Sequence, residues 1–249
     1  MLNDSDFLRY SRQLLLEEFG IEAQEKLQHA SVLIVGLGGL GSPAALYLAA
    51  AGVGKLLLAD DDKLHISNLQ RQILFRSGEI GQPKALLAQG HLQAINPQVE
   101  SIALEQRMDP LSLKTALQQV DLVLDCSDNM TTRQQVNAAC VASNTPLVSG
   151  SAVGFGGQLM VITPPWTQGC YRCLWPDEAE PQRNCRTAGV LGPVVGVIGT
   201  LQALEAVKLL AGHPSPLNGK LRLFDGRQQT WRSLNLQRSP HCPVCGGES

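Results

Sequence analysis

The glycine-rich segment Gly36-Leu-Gly-Gly-Leu-Gly41 constrains the fold more than any other part of the sequence. A short apolar run, 32–35, precedes it, a helical pattern follows it, and a second apolar run ends at Asp60. This order of strand, glycine turn, helix and strand, with an acid about 20 residues beyond the glycines, predicts a nucleotide site. The N–H groups at the helix start would attract an anion. The candidate phosphate-binding glycines are Gly36, Gly38, Gly39 and Gly41. A tight turn with no ligand is the alternative.

The order of the remaining patterns predicts the fold class. Up to residue 150, strand-like runs alternate with helical patterns, which favours an α/β fold with a doubly wound, Rossmann-like, mostly parallel sheet. Later strand patterns lie at 158–163, 221–224 and 231–236. They surround a long apolar helix, 194–210, and we expect them to continue the sheet in antiparallel fashion. We predict one domain, 1–249, with a nucleotide-binding half, 1–150, and a second half, 151–249. Residues 6–28 predict one or two amphipathic helices.

Composition argues against several classes of protein. The formal net charge is −2, so no overall basic field points to nucleic acid. The N-terminal residues lack the charged and apolar regions of a signal peptide. The longest apolar stretch, 188–201, is interrupted by glycines and is too short for a membrane span, so it fits a buried helix better. We therefore expect a cytoplasmic protein with no nucleic-acid or membrane partner.

Polar residues follow the predicted strand ends, where open α/β sheets bind their ligands. Asp60 and Asp62 follow the second strand, and the loop Ser67-Asn-Leu-Gln-Arg71 comes next. Lys84 stands at the start of the following helix. Asp128 follows a later strand and is predicted to face the same edge. Its alternative role is to cap the helix that begins there.

Two cations and an acid at this edge suit a triphosphate better than a dinucleotide. Arg71 and Lys84 can neutralise charge on phosphorus, and Asp128 can hold Mg²⁺. A nicotinamide or flavin oxidoreductase needs only the glycine turn, an acid and a cofactor pocket, so it is the alternative enzyme class. The sequence contains no G-x-x-x-x-G-K-S/T motif, which argues against a P-loop.

Two C-x-x-C pairs form the strongest metal signal in the sequence. They consist of Cys170, Cys173, Cys242 and Cys245. Four thiolates can close a tetrahedral zinc site, and a closed site leaves no position for catalysis. Such a zinc would tie the C-terminal segment to the lobe that begins at Cys170. A redox motif is the alternative, but neither pair stands at the start of a βαβ unit. Two further cysteines, Cys126 and Cys140, lie in apolar surroundings and are predicted to be small core residues.

Cys185 is the remaining cysteine of seven. It stands in a polar segment, with Arg183 and Arg186 close by in sequence. Neighbouring arginines favour the thiolate and so raise its reactivity. We therefore interpret Cys185 as a nucleophile, with an incidental exposed thiol as the alternative.

Taken in order, these motifs resemble the ThiF/MoeB family of ubiquitin-activating-like (E1-like) adenylyltransferases of bacteria. The resemblance runs over nearly the whole chain, from Arg9-Tyr-Ser-Arg12 to Cys245. The passages GFGGQLMVITPPW and CYRCLWP favour the thiamin branch. The resemblance implies adenylation of the C-terminal Gly-Gly carboxylate of a ubiquitin-like sulfur carrier protein. Pyrophosphate would be released, and the carrier would become a thiocarboxylate for thiamin thiazole synthesis. Within the family, adenylation of the small subunit of molybdopterin synthase is the alternative.

The resemblance also implies cosubstrates, partners and residue roles. ATP and Mg²⁺ would be used, the protein would be a homodimer, and a sulfurtransferase or cysteine desulfurase would supply sulfur. The residues 151–249 would bind the carrier and contain the zinc. A zinc-containing binding module without enzymatic activity is the non-enzyme alternative.

The resemblance to the family also implies a role for each matching residue of this sequence. Asp60 would hold the ribose hydroxyls, Asp128 would hold Mg²⁺, and Asn68, Arg71 and Lys84 would contact phosphates. Arg12 would reach the ATP of the partner subunit, and Cys185 would form a sulfur linkage to the carrier. The wider nucleotide-binding set adds Asp62, Ser67, Leu69, Gln70 and Asn129.

Overall fold

One mixed sheet of eight strands runs through the protein. The computed structural model describes residues 2–176 and 185–246, without the side chains of residues 185 and 186. The strands are β1 (Ser31–Val35), β2 (Lys55–Ala59), β3 (Glu100–Leu104), β4 (Leu122–Asp125), β5 (Leu147–Val153), β6 (Gly156–Ile162), β7 (Lys220–Asp225) and β8 (Thr230–Asn235). Their order in the sheet is β3-β2-β1-β4-β5-β6-β7-β8. The first five are parallel, and β6, β7 and β8 continue the sheet antiparallel. The predicted fold class is confirmed.

Helices cover both faces of this sheet. They are α1 (Asp4–Arg9), α2 (Ser11–Leu14), α3 (Gly20–His29), α4 (Gly41–Ala51), α5 (Lys84–Ile95), α6 (Pro110–Leu117), α7 (Met130–Ser143), α8 (Tyr171–Leu174), α9 (Cys185–Ala188) and α10 (Gly192–Leu210). Strand residues alternate between two cores. Val32 and Ile34 pack with α3, α4, α5 and α10, whereas Leu33 and Val35 pack with α6, α7 and the C-terminal cysteines.

The long helix α10 explains the most apolar part of the sequence. Among the described helices, it alone is long and apolar enough to cross a membrane by length and composition. It packs against α4, β5 and β6, and its Ile198 and Ala203 belong to the core. Gln202 is fully buried and donates to the carbonyl oxygens of Asp125 and Val148 at 2.8 and 3.2 Å. The predicted buried helix is therefore confirmed as a core helix.

The N-terminal segment differs from the prediction, because it forms three helices rather than one or two. The first helix ends at Arg9. The next residue, Tyr10, has a buried ring, and its hydroxyl accepts from Asn96 Nδ2 at 2.8 Å. The third begins at Gly20, where φ is +61°. This fixed aromatic side chain and this left-handed residue interrupt the helical path, and an apolar pattern alone does not reveal either one.

Candidate functional site

The glycine turn joins β1 to α4 through positions that leave no room for a side chain. Gly36 has φ +92°, and a Cβ there would lie 2.8 Å from the carbonyl oxygen of Cys126. A Cβ at Gly41 would lie 2.0 Å from the carbonyl oxygen of Gly36. The turn is closed by Asp60, whose Oδ2 accepts from the N–H of Leu37 at 2.8 Å. The glycines therefore bring the start of α4 against the strand ends.

A pocket of about 820 Å³ opens at this edge of the sheet, within the size range of sites for small molecules. It extends from the glycine turn to the end of β5, so both halves of the chain contribute to its wall. Ten of the predicted site residues line it: Gly36, Gly38, Gly39, Asp60, Asp62, Ser67, Asn68, Arg71, Lys84 and Asp128.

Among the predicted nucleotide-site residues with described side chains, five do not line this pocket. Gly41 lies beneath the turn, and Leu69 packs against the apolar core. Gln70 has an exposed side chain. Asn129 is the N-cap of α7, where its Oδ1 accepts from the N–H of Thr132 at 2.9 Å. The cap of this helix is therefore Asn129, and the alternative role of Asp128 as the cap is wrong.

Arg12 is the fifth, and it lies near the far end of α4. It is exposed on α2. Its neighbour Gln13 donates through Nε2 to the carbonyl oxygen of Ala51, the last residue of α4, at 3.2 Å. The glycine turn is at the other end of this helix, about 16 Å away for a helix of 11 residues.

The buried side chain of Lys84 provides a positive charge at the β2 side of the pocket. Lys84 is only 4% exposed, and its Nζ lies 3.1 Å from Asp62 Oδ2. Asp60 is close by, and burial raises the pKa of its carboxyl group, although Lys84 and the N–H groups of Leu37 and Asp62 oppose that rise. Nearby, Arg71 Nη1 donates to the carbonyl oxygen of Ser67 at 2.9 Å, which folds the side chain along its own loop.

The pocket also contains residues that the sequence analysis missed. Gln72 is 3% exposed, and its Oε1 has no hydrogen-bond partner among the described residues, so a ligand can donate to it. Arg133 lies within 3.0 Å of the carbonyl oxygens of Gly150 and Ser127, to which it donates. Burial opposes its charge, but the nearby Asp125 and other acceptors raise its pKa.

The four cysteines of the two C-x-x-C pairs form a second candidate site beside α7. All four Sγ atoms lie within 4.8 Å of one another. Cys170 and Cys242 are 3.8 Å apart, and Cys173 and Cys245 are 3.4 Å apart. Tetrahedral zinc with bonds of about 2.3 Å places sulfurs about 3.8 Å apart, whereas a disulfide bond is about 2.05 Å long. The cluster therefore fits zinc.

Hydrogen bonds to sulfur support this fit. Asn137 Nδ2 donates to Cys170 Sγ, and the N–H of Ser239 donates to Cys173 Sγ, both at 3.4 Å. Burial alone would raise the pKa of the Cys242 thiol, but the N–H groups of Cys245 and Val244 lower it to about 7. Burial raises the pKa of the Cys170 and Cys245 thiols, so without metal the cluster holds a mixture of thiols and thiolates. N–H groups that donate to the sulfur atoms stabilise the thiolate form that binds metal.

Cys185 begins the short helix α9, which packs against β5. Its side chain and residues 177–184 lie outside the described residues. Val190, five residues later, lines the pocket and forms a bridge with Gly154. The described backbone therefore runs from Cys185 to the pocket wall, and the predicted role of its thiol remains a prediction.

A glycine turn, strand-end acids and a buried lysine on this mixed sheet define a nucleotide-binding α/β protein, to which a four-cysteine cluster is added. The sequence model of the ThiF family matches residues 10–244, and the chain belongs to the ThiF family.

Named relatives agree with this assignment. The chain is 64% identical to the sulfur carrier protein ThiS adenylyltransferase of Escherichia coli K12, over 100% of this chain and 98% of the relative. It is 46% identical to the molybdopterin-synthase adenylyltransferase of the same organism, over 98% of both chains. The crystal structure of Escherichia coli MccB with ATP superimposes with a TM-score of 0.84 at 27% identity, covering 98% of this chain and 75% of that one.

Proposed function

We propose that the protein uses ATP to adenylate the C-terminal Gly-Gly carboxylate of a ubiquitin-like sulfur carrier protein of the ThiS type. The observation that carries this proposal is the pocket that joins the glycine turn to the end of β5. One end suits a nucleotide, and the other can receive a peptide terminus. The 64% identical relative is named for this activity. The solved MccB structure that superimposes on this chain is described with ATP, which supports ATP as the nucleotide.

The reaction needs alignment more than acid–base chemistry. A peptide carboxyl group has a pKa of about 3.5, so it is already ionised at neutral pH and needs no general base. One carboxylate oxygen bonds to the α-phosphorus of ATP while the bond from that phosphorus to the β-phosphate oxygen breaks. Pyrophosphate leaves with the electron pair. Catalysis then rests on positioning and on neutralising charge at phosphorus.

The residues at the glycine turn divide these tasks. Asp60 would accept from the ribose hydroxyls, in addition to the backbone N–H groups it already holds. Lys84, Arg71 and Asn68 would contact the phosphates. Lys84 is suited to this because its burial and its pairing with Asp62 fix its ammonium group at the pocket wall. The remaining members of the predicted set, Ser67, Leu69, Gln70 and Asn129, would shape the loops around the nucleotide.

Mg²⁺ would be held by Asp128, whose exposed carboxylate lines the pocket after β4. When bound, Mg²⁺ supplies neutralisation of the charge on the phosphate oxygens. The four cysteines would hold a structural Zn²⁺, since four protein ligands leave no open position.

The carrier would bind to the residues of 151–249, and its thin tail would enter beside the β5–β6 hairpin. Ser151, Ala152 and Val153 line this end of the pocket, and the hairpin turns through Gly154. The nucleotide-binding half, 1–150, and the carrier-binding half, 151–249, would thus form one catalytic domain. We place the enzyme in the cytoplasm, without nucleic-acid or membrane partners, and with a sulfurtransferase or cysteine desulfurase as sulfur donor.

Intact mass spectrometry tests the reaction directly. A ThiS-type carrier incubated with the enzyme, ATP and Mg²⁺ is expected to gain the mass of an adenylate. A carrier without its two final glycines is the control and should keep its mass. An unmodified full-length carrier, under conditions in which it folds and ATP binds, would contradict the proposal.

Cys185→Ser separates adenylation from sulfur transfer. We expect ATP–pyrophosphate exchange to stay within about twofold of wild type, because the thiol acts after the adenylate forms. Thiocarboxylate formation, measured by mass spectrometry with the sulfur donor present, should fall by at least about 100-fold. Cys140→Ala, at a buried core cysteine, is the matched control and should retain both steps. A collapse of exchange in Cys185→Ser would show that the cysteine serves adenylation or structure instead.

We propose a homodimer in which Arg12 reaches the partner's ATP. Its distance from the pocket of its own chain supports this arrangement, as do exposed leucines around it: Leu8, Leu15 and Leu16. Arg12→Ala and Asp128→Ala should each be inactive alone. Co-expressed, they should recover about a quarter of wild-type exchange, because half the dimers contain one intact site. Recovery no higher than the two separate variants would contradict the shared site.

A further inference from the structure

One face of α7 connects the cysteine cluster to the nucleotide pocket. Three buried polar side chains, Arg133, Gln134 and Asn137, lie on this face. All three contact the segment 170–175, which begins at the first cysteine of the cluster. For example, Gln134 Nε2 donates to the carbonyl oxygen of Trp175 at 2.7 Å. These contacts join the segment that begins at the cysteine cluster to the helix face that reaches the pocket.

At the cluster, Asn137 forms hydrogen bonds to both Cys170 and the following residue, Tyr171. It is 1% exposed, its Nδ2 donates to Cys170 Sγ at 3.4 Å, and its Oδ1 accepts from the N–H of Tyr171 at 2.9 Å. The position of Cys170 therefore fixes the backbone at Tyr171.

At the pocket, Tyr171 contacts the arginine that holds the Asp128 loop. The phenol of Tyr171 and the guanidinium group of Arg133 interact, and this interaction helps to raise the pKa of Arg133. Arg133 Nη2 donates to the carbonyl oxygen of Ser127 at 2.5 Å, and Ser127 directly precedes Asp128. Tyr171 and Arg133 both line the pocket, so this contact lies at its wall.

We propose that Tyr171 and Arg133 are positioning residues that couple metal binding at the four cysteines to nucleotide binding in the pocket. The metal fixes the turn from Cys170 to Cys173, and this turn fixes the position of Tyr171. Tyr171 in turn positions Arg133, whose hydrogen bond to Ser127 positions the backbone before Asp128. The proposal rests on the proposed zinc and ATP sites. Because binding linkage is reciprocal, bound nucleotide must tighten metal binding by the factor with which metal tightens nucleotide binding.

Zinc release tests this coupling without any turnover. The zinc-loaded protein, without carrier, is mixed with a chromogenic chelator, and release is followed with and without saturating ATP in excess Mg²⁺. We expect ATP to slow zinc release by about fivefold or more in wild type. Tyr171→Phe, loaded with zinc and measured at an ATP concentration that saturates the variant itself, should lose this dependence. Tyr47→Phe, at an exposed tyrosine on α4, is the matched control and should keep it.

Equal release rates with and without ATP in wild type would overturn the coupling, and so would an unchanged slowing in Tyr171→Phe. Arg133→Lys serves as a second variant if Tyr171→Phe does not fold. It keeps the positive charge but cannot make both hydrogen bonds of the guanidinium group to the carbonyl oxygens of Gly150 and Ser127. Zinc content and ATP binding are measured first. Absence of either in wild type contradicts the proposed function, whereas binding of both without mutual effect contradicts only the coupling.

Discussion

Asp128→Ala is expected to lower carrier-dependent ATP–pyrophosphate exchange by at least about 100-fold, equivalent to about 2.7 kcal/mol. The reason is that the carboxylate would hold Mg²⁺, whose loss leaves the phosphate charge uncompensated. The side chain is exposed and does not cap α7, so the free energy of unfolding should change by only about 0.5 kcal/mol. The measurements are exchange at saturating carrier and thermal unfolding.

Glu105→Gln is the matched control for this variant. Glu105 is an exposed acid that follows β3 at the same edge of the sheet, outside the pocket. Its loss removes one negative charge without removing a metal ligand, so exchange should remain within about twofold of wild type. Near-normal exchange in Asp128→Ala, or equal losses in both variants, would refute the specific role of Asp128.

Removal of zinc is expected to have the largest effect on stability. The cluster joins Cys242 and Cys245 to the turn at Cys170, so the C-terminal segment should become accessible to protease without metal. Zinc contributes about 10–16 kcal/mol in isolated fingers. A loss of about 2–3 kcal/mol in this larger protein would lower Tm by about 4–12 °C. Chelation followed by calorimetry and limited proteolysis measures both effects.

Cys242→Ser should reproduce the loss of zinc, as measured by metal analysis. Cys140→Ala is the control, because Cys140 is a fully buried cysteine that is not one of the four clustered ones. That variant should be destabilised by its small cavity but should keep one zinc per chain. Purified wild type without zinc, or with a Tm that chelation leaves unchanged, would contradict a structural metal at this site.

Local pattern was enough to predict most of the fold. The apolar run before Gly36 and the run that ends at Ala59 are the adjacent parallel strands β1 and β2. The two C-x-x-C pairs meet as the spacing predicted, although they come from distant parts of the chain. These predictions succeed because strand periodicity, glycine turns and metal-ligand pairs leave signals within a few residues.

Features that depend on tertiary contact could not be predicted in this way. Gln72 and Arg133 are polar residues in ordinary sequence surroundings, and only the folded chain shows that both are buried in the pocket wall. Likewise, the choice of Asn129 over Asp128 as the helix cap depends on backbone angles at two adjacent residues that can both act as caps. Arg12 shows the same limit, since its proposed site belongs to another copy of the chain.

The most direct test of the central claim is ATP–pyrophosphate exchange with different carriers measured side by side. The enzyme is assayed with Mg²⁺ and a thiamin-type carrier, a molybdopterin-type carrier, or no carrier. We predict exchange that depends on a carrier ending in Gly-Gly and is fastest with the thiamin type. Absence of exchange with an active carrier, or equal exchange without any carrier, would contradict the account.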